Sequence, residues 1–392
     1  MVQNICKEEA VLRNVDPNHT QAHIDFWRRL DSETIQAYQQ KWKQFIAKAP
    51  AYPGFSKEKG IVLVAGNRDT FDRALTTCRF LRELYNSQIE IEIWHLADEH
   101  PSDKMKQTLA LLNVETRDLS DPALPRPITT RSDAEKQFQI KAAAIINSAF
   151  SEVLYLDSDN VPTRDPSFLF DTEEYKQTGA LFWPDFWKTH GENKIFDILD
   201  IACNNEWEQE SGQMVIDKKR SWLPLQLAWY MQKNYEVYFQ FLNGDKDTFK
   251  YAWQALDVPY HMTPTFLGMA GTIEYDRFCG HTMIQYYYND NEQEDSILFV
   301  HANLMKISDK RHYLVDTNGT ERPWQFTKRS TMSHQNTWIR PQFYISMKGQ
   351  ACMDFSQGAG EPESVIEGFD TLVPQFQENY FRLGGIGGET RA

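Results

Sequence analysis

Residues 153–160 read VLYLDSDN, an apolar run followed directly by two aspartates one residue apart. The apolar run predicts a buried strand of a parallel sheet. Strand side chains alternate between the two faces, so Asp157 and Asp159 are expected on the same side at the end of the strand. Two neighbouring carboxylates repel each other unless a cation lies between them. The pattern favours a hard divalent cation, Mn²⁺ or Mg²⁺, and a phosphate-bearing ligand over the alternative, an exposed strand end.

Strand and helix patterns alternate on the amino-terminal side of this stretch. The predicted strands are 60–65, 89–96 and 114–119, and the predicted helices are 70–85 (capped by Thr70 or Asp69), 102–112 (capped by Ser102) and 133–150 (capped by Asp133). This alternation predicts an α/β fold with a right-handed, mostly parallel twisted sheet. Ligands of such sheets bind at the carboxyl ends of the strands. The turn Ala65-Gly66-Asn67 is therefore expected in one crevice with the aspartate pair.

The rest of the chain is divided by composition. Residues 1–58 show a polar, helical pattern and are predicted to form an N-terminal extension or stem, docked through Phe26-Trp27 and through Trp42 and Phe45. Residues 59–320 are predicted to form the main α/β domain. Residues 321–392 are predicted to form a C-terminal extension that packs on it, and the glycine-rich end at 384–388 is expected to be flexible.

Composition excludes several classes of protein. The chain has 392 residues, 41% of them hydrophobic, and a net charge of -14. Long basic runs are absent, which argues against nucleic acid or anionic lipid as the main partner. Five cysteines without a Cys-x-x-Cys pair indicate neither a zinc site nor a disulfide framework, although one or two bridges remain open. No stretch of the sequence is apolar and long enough to span a bilayer.

Several segments together resemble the fungal α-mannosyltransferases of glycosyltransferase family 71. The segments that carry the resemblance are 60–67, 91–96, 156–162, 179–187, 207–218, 243–253 and 301–306. The resemblance implies a GT-A type nucleotide-sugar-binding domain, with GDP-mannose as donor, Mn²⁺ as metal and an α-linked mannoside of a glycan or glycoconjugate acceptor as product. Those enzymes are anchored in the Golgi by a membrane helix. The Golgi lumen is therefore expected if an anchor is missing from this chain, and the cytoplasm otherwise.

The resemblance also assigns roles to single residues. Asp157, Asp159 and His301 would hold the metal, and Lys306 would reach the diphosphate. Ala65, Gly66 and Asn67 would lie against the base and ribose, and Lys141 would help to hold the diphosphate or the sugar. The residues expected around the donor sugar are Trp183, Asp185, Glu210, Gln213, Asp245 and Asp247.

Mechanism and substrate leave alternatives open at this point. An α-mannoside made from GDP-mannose retains the anomeric configuration. Retention requires either a nucleophile, for which Glu210 is the first candidate and Asp245 the second, or attack from the same face as the departing phosphate. Another nucleotide sugar, with a glycolipid or small-molecule acceptor, is one alternative function.

Two further alternatives belong to other classes. A haloacid-dehalogenase-type phosphatase also has a strand that ends in Asp-x-Asp, but there the strand opens the domain, whereas three strand-helix units precede Asp157 here. The other is a non-catalytic sugar-binding scaffold. The joint occurrence of Asp157, Asp159 and His301 argues against it.

Overall fold

A computed structural model describes residues 17–128, 138–204, 206–289, 294–304, 322–330, 341–347, 349, 351–355 and 363–385. Asp133, Lys306 and residues 386–388, for which predictions were made above, lie outside these ranges. The chain divides into two compact units. The first unit comprises Met1–Val62, Leu119–Tyr155 and Phe170–Met262, and the second comprises Leu63–Asp118, Leu156–Leu169 and Thr263–Ala392.

Helices and strands alternate in the first half of the described chain, and strands predominate after residue 260. The helices are α1 Pro17–Arg29, α2 Ser32–Ala47, α3 Arg68–Arg79, α4 Asp103–Leu111, α5 Ile140–Asn147, α6 Glu173–Thr178, α7 Ile195–Leu199, α8 Trp222–Lys233, α9 Tyr235–Tyr238, α10 Lys246–Ala255, α11 Phe369–Leu372 and α12 Phe376–Arg382. The strands are β1 Lys57–Val64, β2 Glu90–His95, β3 Val114–Asp118, β4 Phe150–Leu156, β5 Asn160–Pro162, β6 Ala180–Lys188, β7 Trp207–Asp217, β8 His261–Met262, β9 Gly268–Glu274, β10 Arg277–Asn289, β11 Glu294–His301, β12 Phe326–Ser330, β13 Pro341–Ile345, β14 Ala351–Phe355 and β15 Ser364–Gly368.

The first unit is built on a mixed sheet with the strand order β1-β4-β7-β6-β8. Strand β6 is antiparallel to β7 and parallel to β8. The N-terminal helices dock through two buried tryptophans, as predicted. The indole of Trp27 donates a hydrogen bond to the carbonyl of Gln240 at 2.8 Å, and that of Trp42 donates to Ile198 at 2.8 Å. Each bond satisfies the one polar atom of a large apolar ring.

Strand β1 runs on into the second unit, where the strand order is β1-β2-β3 and β2 is parallel to β3. The predicted α/β class, with its strand-helix alternation and its N-terminal helices, is thereby confirmed. The predicted cap of α3 is wrong. Asn67 is the N-cap: its side chain accepts the N–H of Thr70, and the Thr70 hydroxyl in turn accepts the N–H of Asn67. This reciprocal pair satisfies two N–H groups that the first turn leaves without helical partners.

An antiparallel sheet in the second unit was not predicted. Its described strands follow the order β13-β14-β10-β9-β12-β15, and β11 pairs with both β10 and β5. A disulfide between Cys279 and Cys352 joins β10 to β14, which fulfils the possibility of one bridge left open by the sequence. Helices α11 and α12 cover a buried cluster that includes Trp324, Phe376 and Tyr380.

Candidate active site

The two aspartates of the second unit lie on a tight turn and not on a continued strand. Strand β4 ends at Leu156, and the next four residues form a turn that is closed by the N–H of Asn160 donating to the carbonyl of Asp157 at 3.0 Å. Strand alternation is therefore the wrong explanation for their placement. The turn sets the positions of Asp157 and Asp159.

His301 is brought to this turn by strand pairing. Strand β11 runs antiparallel to β5 with His301 opposite Asn160, and the N–H of Ala302 donates to the carbonyl of Asp159 at 3.0 Å. The His301 Nε2 atom lies 3.3 Å from Asp159 Oδ1 and 3.8 Å from Asp157 Oδ2. The three residues predicted to hold a metal thus converge on one point.

The donor set of this point fits a divalent cation. It offers one imidazole nitrogen and two carboxylates, a combination that Mn²⁺ and similar metals accept. The side chains of His301 and Asp159 are 5% and 7% exposed, and that of Asp157 is 21% exposed. Both carboxylates lie within 4 Å of the imidazole, and a cation at this point would balance their negative charge. Asp157, Asp159 and His301 could therefore contribute ligands to a metal.

The turn after β1 opens on a cavity of about 860 Å³ in the second unit. Gly66 and Asn67 line it, together with Ser102, the N-cap of α4. The N-terminal ends of α3 and α4 therefore both border the cavity, and helix N-termini attract anions. A Cβ atom at Gly66 would lie 2.0 Å from the carboxylate of Glu99, which is the end of a flexible side chain and would have to move aside. Ala65 is buried. Contact of this turn with a base and ribose stays a prediction.

In the first unit, two of the predicted residues pair with each other. The Lys141 ammonium lies 2.9 Å from the Ser211 hydroxyl and 3.5 Å from Asp245. Asp245 precedes α10 but makes no capping hydrogen bond with its side chain. The carboxylate of Glu210 accepts the N–H of Gly212 at 2.6 Å. These contacts hold both carboxylates that were proposed as nucleophiles, whose catalytic role stays a prediction.

Sequence reasoning missed a buried charge cluster in the same unit. Lys246 lies 3.0 Å from Asp185, 2.6 Å from Glu208 and 2.7 Å from Asp247. Burial and the neighbouring Glu208 raise the pKa of Asp247 to about 6, against the opposing effect of Lys246 and Lys250. Burial disfavours the charge of Lys246, but the three carboxylates outweigh it and raise its pKa. In the sequence, the alternating charges of Asp245, Lys246 and Asp247 indicate a loop before a helix and give no sign of a buried cluster.

The remaining predicted sugar contacts are buried in the first unit. Trp183 and Gln213 are completely buried in β6 and β7, and Asp247 is completely buried beside Lys246. Trp183 pairs with Glu210 across the two strands. The complete burial of Trp183 is that of a core residue. Sugar binding by Asp185, Gln213 and Asp247 stays a prediction.

Comparison with known proteins gives the family. A mannosyltransferase family model, Mannosyl_trans3, matches residues 58–209 and 204–287. Among similar proteins, the α-1,2-mannosyltransferase MNN21 of Candida albicans is 28% identical over 315 residues, which cover 66% of this chain and 47% of that protein. The α-1,2-mannosyltransferase MNN5 of Saccharomyces cerevisiae is 25% identical over 371 residues, which cover 73% of this chain and 62% of that protein. The chain thus spans roughly half the length of these relatives.

Similar solved structures are glycosyltransferases. The galactosyltransferase LgtC, solved with donor and acceptor sugar analogues, has a TM-score of 0.38 and 15% identity, covering 52% of this chain and 73% of LgtC. The mannosyltransferase Ktr4p of S. cerevisiae, solved with GDP, has a TM-score of 0.33 and 11% identity, covering 64% of this chain and 87% of Ktr4p. TM-scores this low support no conclusion about the present chain.

Two separate findings concern the described helices and the family match. Within the ranges that the structure describes, no helix is long and apolar enough to cross a membrane. The family model matches more than half of the chain, and it is a mannosyltransferase model and not one of a phosphatase. The chain therefore belongs to the mannosyltransferase family Mannosyl_trans3, in agreement with its resemblance to fungal α-mannosyltransferases.

Proposed function

We propose that this chain is the catalytic part of a metal-dependent, retaining α-mannosyltransferase. It would move mannose from GDP-mannose to a hydroxyl of a mannoside or another glycan. The observation that carries the proposal is the convergence of Asp157, Asp159 and His301, with distances of 3.3 and 3.8 Å from the imidazole to the two carboxylates. Membership of a mannosyltransferase family supports the choice of sugar, and the names of the two relatives support an α-1,2 linkage.

In this proposal Asp157, Asp159 and His301 hold Mn²⁺, with Mg²⁺ as the alternative. A divalent metal neutralises negative charge that develops on a departing diphosphate. Side chains of this chain would neutralise the remaining negative charge of the diphosphate. They would also hold the donor and the acceptor hydroxyl close together. Lys141 would help to hold the diphosphate or the sugar. The turn Ala65-Gly66-Asn67 would lie against the base and ribose.

The transfer itself breaks the bond between the anomeric carbon and the β-phosphate oxygen. Its electron pair leaves with the diphosphate, and the acceptor oxygen forms the new bond and loses its proton. In the route with a nucleophile, Glu210 or Asp245 first takes the mannosyl group, and the acceptor hydroxyl then displaces the carboxylate and gives its proton to the diphosphate. In the same-face route the departing phosphate accepts the proton, and these two carboxylates bind sugar hydroxyls.

The cellular setting in this proposal is the Golgi lumen. Disulfides persist in oxidising compartments and are rare in the cytosol, and the Cys279–Cys352 bridge therefore supports a lumenal location. A glycan acceptor fits that compartment. The net charge of -14 continues to argue against nucleic acid as a partner.

The test is a panel of nucleotide sugars with Mn²⁺ or with a chelator. It compares the wild type with Asp159→Asn and with a control, Asp171→Asn, whose carboxylate is 72% exposed and pairs with Lys59. We expect Mn²⁺-dependent turnover of GDP-mannose that falls on the order of 100-fold or more in Asp159→Asn and persists in Asp171→Asn. Turnover of a different donor alone would refute the assignment of mannose. Absence of both turnover and metal-dependent nucleotide binding would refute the proposed function.

A further inference from the structure

Arg73 of α3 is a buried cation in the second unit to which the proposed function assigns no role. Its side chain is 8% exposed, and its Nη2 atom pairs with Asp69 one turn earlier in the helix. Its Nε and Nη1 atoms are buried and have no hydrogen-bond partner among the residues that the structure describes. A guanidinium presents five N–H donors, and burying them without acceptors costs free energy. The position of Arg73 therefore suggests that an anion binds there.

Helix packing places Arg73 beside the aspartate turn. The hydroxyl of Thr77 donates to the carbonyl of Asn160 at 3.4 Å, which sets one face of α3 against the residue that follows Asp159. Arg73 precedes Thr77 by four residues, so it lies on the same face about one turn closer to the N-terminus of α3. That end of the helix follows the carboxyl end of β1, where ligands of such sheets bind.

A buried tyrosine gives a second indication of this proximity. Burial raises the pKa of the Tyr380 hydroxyl, the positive charge of Arg73 lowers it, and the negative charges of Asp159 and Asp69 raise it. Arg73 and Asp159 are thus both within electrostatic range of the same side chain of α12. The guanidinium and the proposed metal ligand therefore belong to one neighbourhood of the second unit.

We propose that Arg73 binds the diphosphate of the nucleotide sugar. The inference rests on the proposed function, because it takes the diphosphate as the anion. A guanidinium donates two parallel N–H groups to two phosphate oxygens, a geometry that a lysine cannot provide. Arg73 would add a fixed positive charge to that of the metal held by Asp157, Asp159 and His301.

The experiment compares Arg73→Gln and Arg73→Lys with a matched control, Arg329→Gln. Arg329 belongs to the same unit, is 43% exposed and makes only a long pair with Glu367 at 3.8 Å among its described ion pairs. Binding of GDP with Mn²⁺ is measured by calorimetry, and binding of guanosine by NMR titration. Arg73→Gln is expected to weaken GDP binding about 10- to 100-fold and to leave guanosine binding unchanged. Arg73→Lys is expected to weaken it less, and the control not at all.

The outcomes separate this inference from the proposed function. If the wild type and Arg73→Gln bind GDP equally, Arg73 does not contact the diphosphate and the proposed function is unaffected. Equal weakening of GDP and guanosine would likewise overturn the inference, because it would indicate that Arg73 only supports the fold of the site. A wild type that binds neither GDP nor GDP-mannose would refute the proposed function and this inference with it. If thermal unfolding shows that Arg73→Gln does not fold, Arg73→Lys decides, and wild-type GDP affinity in that variant would overturn the bidentate contact.

Discussion

Lys246 is the residue on which the charge balance of the first unit depends. Its ammonium pairs with Asp185, Glu208 and Asp247, whose side chains are at most 6% exposed. In Lys246→Met these carboxylates would stay buried without that cation. Removing one partner of a buried ion cluster costs about 3–5 kcal/mol. We expect a loss of that size in the free energy of unfolding, measured by urea titration.

A surface pair provides the control for this experiment. Lys194 pairs with Asp197 at 2.8 Å, but the two side chains are 34% and 54% exposed. Lys194→Met removes the same charge, and exposed pairs contribute less than about 1 kcal/mol. If both variants lost the same small amount of stability, the cluster around Lys246 would not be the buried network described here.

The Asp247 carboxyl predicts a dependence of stability on pH. Its pKa is raised from 3.8 to about 6, with burial as the first cause and Glu208 as the second. Between these two values the folded protein binds more protons than the unfolded chain. The stabilisation from this group is therefore fully present below pH 3.8 and is lost as the pH rises through about 6.

Asp247→Asn removes this titration while it keeps the shape of the side chain. We expect the free energy of unfolding of the wild type, relative to this variant, to decrease from about pH 4 to about pH 7. Urea titrations of both proteins at several pH values measure the difference. A difference that is constant across this range would show that the carboxyl ionises normally in the folded protein, and a difference that grows with pH would show that folding lowers its pKa.

Sequence alone could bring forward Asp157, Asp159 and His301 as predicted metal ligands, but it could not identify Arg73 or Lys246. Asp157, Asp159 and His301 each follow an apolar strand, and this local pattern can be recognised from the sequence alone. Arg73 lies in a polar helix, where an arginine usually faces water. Only the packing of Thr77 against Asn160 reveals that its face of α3 is buried. Lys246 is likewise hidden, because Asp185 and Glu208, which neutralise it, are far away in sequence.

Among single elements, α3 is fixed at its start by a capping box. Asn67 accepts the N–H of Thr70 at 2.9 Å, and the Thr70 hydroxyl accepts the N–H of Asn67 at 3.0 Å. Asn67→Ala removes the cap, and such substitutions cost about 0.5–2 kcal/mol. We expect this loss in urea titrations without ligand. Asn67→Asp, which keeps an acceptor at the N-cap, is the control and should retain the wild-type stability. Equal losses in both variants would mean that the amide, and not the cap, matters.

Prediction of the elements succeeded where the signals are local. Strands β1, β2 and β3 are short apolar or alternating runs between clear turns and caps, and their predicted bounds were close. The start of strand β7 has no such local signal, because Gln209 and Glu210 are polar, yet both are buried inside an antiparallel pair with β6. The antiparallel sheet of the second unit depends on pairings such as β10 with β14, which no local pattern indicates.

For the molecule as a whole, the Cys279–Cys352 bridge makes stability depend on the redox state of the compartment. It closes a sequence separation of 73 residues between β10 and β14. Closing a loop of that length removes conformational entropy from the unfolded chain worth about 4 kcal/mol in the chain-entropy model. We expect the double variant Cys279→Ala with Cys352→Ala to lose about 2–5 kcal/mol in the free energy of unfolding. Peptide mapping by mass spectrometry under non-reducing conditions checks the bridge in the wild type.

Cys78→Ala is the matched control, because Cys78 is a buried thiol outside any bridge, and burial raises its pKa to about 12. Loss of one buried sulfur without a bridge should cost about 1 kcal/mol. A double variant that loses no more than twice that amount would show that the bridge does not stabilise the second unit. Mapping that finds Cys279 and Cys352 reduced in protein from the secretory pathway would remove the support for a lumenal location. A larger loss together with a mapped bridge would mean that this unit requires an oxidising compartment to reach its full stability, as the Golgi lumen provides.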